Sequence, residues 1–284
     1  MMGEFNIVMD ARESKEYFCV SPDYKGEWQV DATVKSAARA LEVLEYFDTV
    51  RRAATVMEIA RALGYPQSST SVLLRSLVTL GYLELDASAR TYQPTPRVTL
   101  LGSWIEPLLS PGGAVMRLMD ELGKETGETI ILGVPAGEAV RYIHVVQATG
   151  AMRLHVGPGT VRPLAIAGMG RLFMSTLPEA RVRQIVHRYN TELGSEVESL
   201  RWANVRDDLA SIRLDGYCPS LDRLTPGIGG ISMLLPVAPH GVPMAIAIGG
   251  FSNTINDRRE AFVERMRRGI KRHLPGDALR LKAA

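Results

Sequence analysis

Between positions 34 and 47 apolar side chains return at helical intervals, at Val34, Ala37, Ala38, Leu41, Leu44 and Phe47. This spacing predicts an amphipathic helix through SAARALEVLEYF, ending near DTVRRA. Thr55 stands three residues before Glu58 in the pattern of a reciprocal capping box. Val56, Ile59, Ala60 and Leu63 then supply the buried stripe of a short second helix, which Gly64 stops. Pro66 opens a third helix, on which Leu73, Leu74, Leu77 and Leu80 form one apolar stripe while Ser68, Ser71, Val72 and Arg75 project from the other side. After Gly81, YLELDASARTYQPTP alternates around a polar turn and predicts a hairpin with Arg90 near its tip.

Further along, RVTLLGSWIEPLL carries Val98, Leu101, Trp104, Ile105 and Leu108 at helical spacing, until Pro111, Gly112 and Gly113 break it. The helix AVMRLMDELGKETG follows. TIILGV and VRYIHVVQ, joined by PAGEA, predict an antiparallel hairpin, and MRLHV a further strand. Glycines and a proline punctuate GTVRPLAIAGMG before a helix that begins near Ala167; such a loop can turn backbone N–H groups toward an anion. Two helical stretches, PEARVRQIVHRY and EVESLRWANVRDDLASIRLDG, precede the loop YCPSLDRLTPGIGG. Two strands around APHG and a closing helix, with Ala261, Phe262, Met266 and Ile270 inward, complete the chain. Meandering strands with inserted helices imply an α+β domain with a central antiparallel sheet.

The expected organisation is an N-terminal extension over 1–30, a mainly α unit with a winged helix-turn-helix over 31–96, a linker helix over 97–113 and an α+β domain over 114–284. A length of 284 residues suits two domains. A short helix, a tight turn and a second helix with a polar outer face is the arrangement that presents a helix to the DNA major groove, but the same shape also serves protein contacts. Charge does not choose between them: 33 Lys and Arg against 31 Asp and Glu leave a formal net charge of +2, so any basic surface is local.

Composition removes other classes. The two cysteines, Cys19 and Cys218, are too few for a disulfide framework or a cysteine-rich zinc site. His144 and His155 lack ligand-spaced partners, so no metal is expected. There is no Gly-x-Ser-x-Gly elbow, no His-Glu-x-x-His and no dinucleotide fingerprint, so neither catalysis nor a cofactor is expected. Cys218 beside Tyr217 reads as a small buried residue. The first residues lack the pattern of a signal peptide and no apolar run is long enough to span a bilayer, which implies a cytoplasmic protein with no membrane partner.

SAARALEVLEYFD, EIARALGYPQSSTSVLLRSLVTLGYLE and RTYQPTPRVTLLG lie in the order found in the winged helix-turn-helix domain of the IclR family of bacterial transcriptional regulators, which this chain resembles from about Val34 to Leu101. ELGKETGETIILGV, VRPLAIAGMGRLFMS, LDGY and LLPVAPHGVPMAIAI resemble that family's effector-binding domain, which implies a GAF-like fold. The resemblance implies double-stranded DNA with a pseudo-palindromic operator, a small organic effector, and a homodimer or tetramer to which the linker helix contributes.

On the third helix, Ser68, Ser69 and Ser71 are expected on phosphates or base edges, Thr70 at the helix start, and Gln67 or Arg75 as the sequence reader, with Arg90 reaching from the wing. Val72 stands where the family commonly has arginine. The implied effector set comprises Val161, Arg162, Met169, Ser220, Asp222, Ile231, Ser232, Met233, Ala247 and Gly249. Ser232, Ala167, Ala247 and Gly249 replace the family's usual cysteine, threonine and serines, which favours a partly apolar ligand, or an empty pocket. The rival reading is a small-molecule-binding metabolic protein whose winged domain makes protein contacts.

Overall fold

The computed structural model describes residues 7–9, 16–19, 34–102, 107–109, 112–150, 153–192 and 199–275. The chain divides into two compact units, residues 27–110 and residues 1–26 with 111–284. The stretch expected as an extension holds two short strands, β1 (Ile7–Met9) and β2 (Glu16–Cys19), paired antiparallel. β2 reads EYFC, rich in aromatic β-formers.

In the unit of residues 27–110, α1 (Lys35–Val50) and a short strand β3 (Ala54–Thr55) lead into α2 (Val56–Leu63) and α3 (Gln67–Thr79). β4 (Leu83–Asp86) and β5 (Thr91–Pro94) form the wing, with β5 also pairing β3, and α4 (Pro96–Gly102) follows. The core gathers Val43, Phe47, Ala54, Ile59, Leu74, Leu77, Leu83 and Tyr92. On α1 the inward stripe is therefore Val43 and Phe47 flanked by Ala40 and Leu44. Val34 and Leu41, expected inside, are 67% and 61% exposed. Apolar residues occur on more than one side of this helix, so spacing alone did not single out the buried one. Leu80 likewise leaves the core at 56% exposure, because it lies just beyond α3 as its C-cap.

The capping box is formed. Thr55 Oγ1 accepts from the Glu58 N–H at 3.3 Å, and Glu58 Oε2 accepts from the Thr55 N–H at 2.8 Å. Arg52 adds an ion pair to Glu58 at 2.9 Å. The Thr55 N–H, then Arg52 and the Thr55 hydroxyl, lower the Glu58 pKa to about 2. Gly64 ends α2 in the left-handed region, φ 69°, so three residues, Gly64 to Pro66, turn the chain into α3. Of the expected linker helix, the described part stops at Gly102, a 3-10 turn covers Pro107–Leu109, and Trp104 and Ile105 lie outside the described residues.

The second unit contains α5 (Ala114–Thr126), β6 (Thr129–Ala136), β7 (Ala139–Val146), β8 (Leu154–His155), β9 (Val161–Pro163), α6 (Gly168–Met174), α7 (Glu179–Glu192), α8 (Trp202–Asp215), β10 (Cys218–Leu221), β11 (Ile228–Leu234), β12 (Ala245–Phe251), α9 (Ser252–Asp257) and α10 (Arg259–His273). Six strands form a fully antiparallel sheet in the order β10-β11-β12-β6-β7-β9. β8 pairs instead with β2, in parallel. α8 starts at Trp202; of the expected stretch before it, residues 196–198 lie outside the described residues, and Asn190 clamps Leu200 through both its N–H and its carbonyl at 2.8 and 2.9 Å, outside the helix.

α5 and α10 pack together. Phe262, Val263, Met266 and Gly269 face inward, so Ala261, expected inside, is exposed. A Cβ on Gly269 would stand 2.8 Å from Leu118, so glycine there permits the close approach. Part of the basic face of α10 binds α5: Arg268 pairs with Glu125, and Arg272 and His273 with Glu121, while Arg267 donates to the Asp215 carbonyl at the end of α8.

The capping box makes a local prediction. Thr55→Ala should destabilise α2 by about 1 kcal/mol, read in the full chain as roughly fivefold faster amide exchange over residues 56–63. Glu58 has a depressed folded pKa, so its contribution is present above about 4.5 and fades as pH falls toward about 2. Glu58→Gln should remove that pH dependence from the exchange rates.

Candidate nucleic-acid interface and ligand pocket

The two flanks of α3 differ sharply. Thr70 is 1% exposed, and Leu74 and Leu77 are buried beside it. Gln67, Ser68, Val72 and Arg75 are exposed, with Ser69 and Ser71 half-buried. Thr70, expected at the helix start within the DNA-binding set, donates from Oγ1 to the Pro66 carbonyl at 3.0 Å and is turned away from the outer flank. It ties down the first turn from inside, a role its place one turn behind Leu74 requires. Ser69 Oγ makes the same bond at 3.0 Å, which leaves its hydroxyl oxygen only as an acceptor.

Arg90 occupies the wing turn at φ 54°, in the left-handed region that few side chains adopt, and is exposed at the tip. The turn is built by Asp86, whose carboxylate accepts from the Ser88 N–H at 2.8 Å, the Ser88 hydroxyl at 2.6 Å and the Ala89 N–H at 3.1 Å. These bonds, the Ser88 hydroxyl first, lower the Asp86 pKa.

The start of α1 adds residues that the sequence pattern did not bring to α3. Lys35, Ser36 and Arg39 face Ser69, Val72 and Ser76 across a cleft of about 390 Å³. Arg39 also stacks on Tyr65, 4.6 Å from the ring centre. Lys35 sits at an exposed helix start, one position after Val34, and that cation was the available signal. So the outer flank of α3 shares a cleft with cations of α1.

In the other unit, the pleat of the sheet sorts the expected ligand residues. Ser232 faces Ala247, and Gly230 faces Gly249, in the β11–β12 register, while Ile131 lies opposite Ala247 on β6. All of these share one face. Met169, Ser220, Ser232, Ala247 and Gly249 of the expected set line a cavity there, with Ile131, Tyr142, Leu154, Gly168, Leu224 and Ile228 added by the fold. Strand alternation puts Ile231 and Met233 on the opposite face of the sheet, so both leave the set. Asp222 leaves it too. Its Oδ1 accepts from the Gly227 N–H at 2.6 Å and the Ser252 hydroxyl at 2.8 Å, which closes the loop between β10 and β11. Val161 and Arg162 pair with β7 at the sheet edge and do not line the cavity.

The cavity is small, about 90 Å³. Met169, which lines it, lies close against the sheet: a Cβ on Gly133 would clash with its sulfur. The glycines in the first turn of α6 permit close packing. A Cβ on Gly168 would meet Ser220 at 2.7 Å, and one on Gly170 would meet the Leu164 carbonyl at 2.4 Å. Burial raises the Tyr142 phenol pKa against the opposing pull of Arg162, so the phenol is neutral near pH 7. Ser220, Ser232 and Tyr142 are thus neutral hydrogen-bonding groups in a mostly apolar wall.

Burial also raises the Cys218 thiol to about 12, which leaves it un-ionised and unsuited to act as a nucleophile. Among the described residues no group of His, Cys, Asp and Glu is placed to hold a metal ion, and no helix is long and apolar enough to cross a membrane.

Comparison with known proteins follows the same division. The model of the IclR helix-turn-helix domain matches residues 36–87. The model of the bacterial transcriptional regulator IclR C-terminal domain matches residues 114–271. The acetate operon repressor of Salmonella typhimurium is 25% identical over 233 residues, 81% of this chain and 85% of that protein. The transcriptional repressor IclR of Escherichia coli is 25% identical over 230 residues, 80% and 83% of the two chains. These relatives are named as repressors, not as enzymes.

Among solved structures, the Thermotoga maritima IclR superposes with a TM-score of 0.56 at 18% identity, covering 85% of this chain and 99% of that one. The IclR transcriptional regulator of Alicyclobacillus acidocaldarius gives 0.54 at 22%, covering 89% and 99%. Both support the fold, a helix-turn-helix region followed by helices on an antiparallel sheet. With the two models together spanning most of its length, the chain belongs to the IclR family of bacterial transcriptional regulators.

Proposed function

We propose that α3 enters the major groove of double-stranded DNA with its outer flank leading, and that two copies of the chain place two such helices on a pseudo-palindromic operator. One observation carries this reading: Val72 and Arg75 stand exposed on α3 while Thr70, Leu74 and Leu77 are locked into the core behind them. Arg75 and Gln67 are the base readers, since a guanidinium or an amide can make paired bonds to guanine or adenine. Ser68 and Ser71 bond phosphates or base edges. Lys35 and Arg39 hold one strand of the backbone and Arg90 the other, giving a local positive field that net charge does not reveal. The rival reading, a metabolic protein whose winged domain makes protein contacts, has no particular observation in its favour.

The ligand that biases DNA binding is a small, partly apolar organic molecule held by Met169, Ser220, Ser232, Ala247 and Gly249. A cavity of about 90 Å³ lies well below the roughly 300–1,000 Å³ of drug-sized sites, so an occupant has few heavy atoms. For such a molecule to regulate, it must prefer one arrangement of the dimer over the other.

Two measurements test these assignments. Against DNA upstream of its own gene, the protein should bind far above random DNA, with affinity falling steeply as salt rises. Arg75→Ala should cost about 1–3 kcal/mol of that preference, and an unchanged preference would remove Arg75 as a reader. Met169→Ala should cost about 2–5 kcal/mol of stability and open the cavity. Melting against a series of aliphatic carboxylates should then show longer chains stabilising the variant but not the parent protein. A variant indifferent to all chain lengths would count against this cavity as the site.

A further inference from the structure

A second cavity in the same unit shares no lining residue with the sheet pocket. It measures about 520 Å³ and is bounded by Arg171 on α6, Asn204, Val205, Asp207 and Asp208 on α8, Ser199 to Arg201 ahead of α8, and Arg223 after β10. Its volume falls within the range of small-molecule sites.

The charges on its wall are unequal. Arg171 is almost fully buried, its side chain 3% exposed, and its guanidinium bonds the Ala165 carbonyl through Nε. A single oxygen of Asp208, Oδ2, accepts from both Arg171 Nη1 at 2.8 Å and Arg223 Nη2 at 2.7 Å. Arg201 is a third arginine lining the same cavity. Among the described lining residues the other carboxylate, Asp207, is already paired with its neighbour Arg206 at 2.9 Å. Two guanidinium groups therefore share one carboxylate, and with Arg201 the described residues of the wall carry three arginines against one aspartate that is not paired elsewhere. An arginine keeps its charge when buried, so this excess persists at any physiological pH. Burial first, then repulsion from Arg223, lower the Arg171 pKa, as expected where positive charge is incompletely compensated.

We propose that this cavity is a binding site for a small dianion, a phosphate or a short dicarboxylate, held between Arg171 and Arg223 with Arg201 at the rim. Guanidinium groups offer paired, coplanar donors to both chemistries. The Asn204 side chain adds an amide that can donate to the same ligand. Asp208 sets the arginine positions and also competes with the ligand for them, so the site is organised before the ligand arrives.

The test is made on the full-length protein without DNA, so it does not depend on the DNA reading. Inorganic phosphate and succinate are titrated separately by calorimetry at matched ionic strength, with sodium chloride as control. At least one should bind saturably with Kd below about 1 mM, and the arm that binds names the source of the dianion. Arg223→Gln should weaken it by about tenfold or more with little change in the melting of the unliganded protein. Asp208→Asn should act in the opposite sense and tighten binding, an outcome that a purely structural ion-pair cluster would not produce. Ser232→Ala, in the sheet pocket, should leave binding unchanged. Absence of saturable binding by both dianions, or binding indifferent to Arg223→Gln, overturns the proposal; should Asp208→Asn fail to fold, the Arg223→Gln result decides.

Discussion

The burial of one side of α3 is the constraint on which the N-terminal unit depends. Leu74 and Leu77 sit among Val43, Phe47, Ile59 and Leu83, and Thr70 is buried with its Oγ1 bonded to the Pro66 carbonyl. Each fully buried aliphatic side chain contributes about 1.5–3 kcal/mol, so rolling the helix about its axis would forfeit several such terms. The helix is thereby fixed in rotation as well as in position. Its polar flank is not a surface left over by folding but one held out by the core, and the same constraint explains why a valine at position 72 can remain 56% exposed.

A comparable division of faces organises the second unit. Ile231, Met233, Ile246 and Ile248 alternate along β11 and β12 with Gly230, Ser232, Ala247 and Gly249. Small residues on one face leave room for Met169 and Leu154 to approach the sheet: a Cβ on Gly249 would stand 2.9 Å from Leu154, and one on Gly133 would meet Met169. Both side chains line the residual cavity, together with the bare backbone of Gly229, Gly230 and Gly249.

Much of the helix-turn-helix was legible in the sequence because its signals are local. Thr55 and Glu58 announce the start of α2, Gly64 its end, and the leucines of α3 its inner side. Local signals failed where two faces were both apolar, as on α1, where Val34 and Leu41 competed with Val43 and Phe47. They also failed at the sheet pocket, where Ile231, Ser232 and Met233 are consecutive in sequence but pleating divides them between faces. Asp222 illustrates a different limit: its carboxylate is consumed by Gly227 and Ser252, and Ser252 is 30 positions away. The arginine cavity was not legible at all, since Arg171 and Asp208 are separated by 37 positions and meet only once α6 packs against α8.

The central claim is that the outward flank of α3 is the part of the protein inside the DNA groove. It is tested most directly by placing a photoreactive benzophenone side chain at position 72 and irradiating the full-length protein bound to its upstream DNA. The account requires cross-links to bases at one fixed position in each half-site. Specific binding that persists with no cross-link from position 72, while the same group at Leu101 does cross-link, would contradict it.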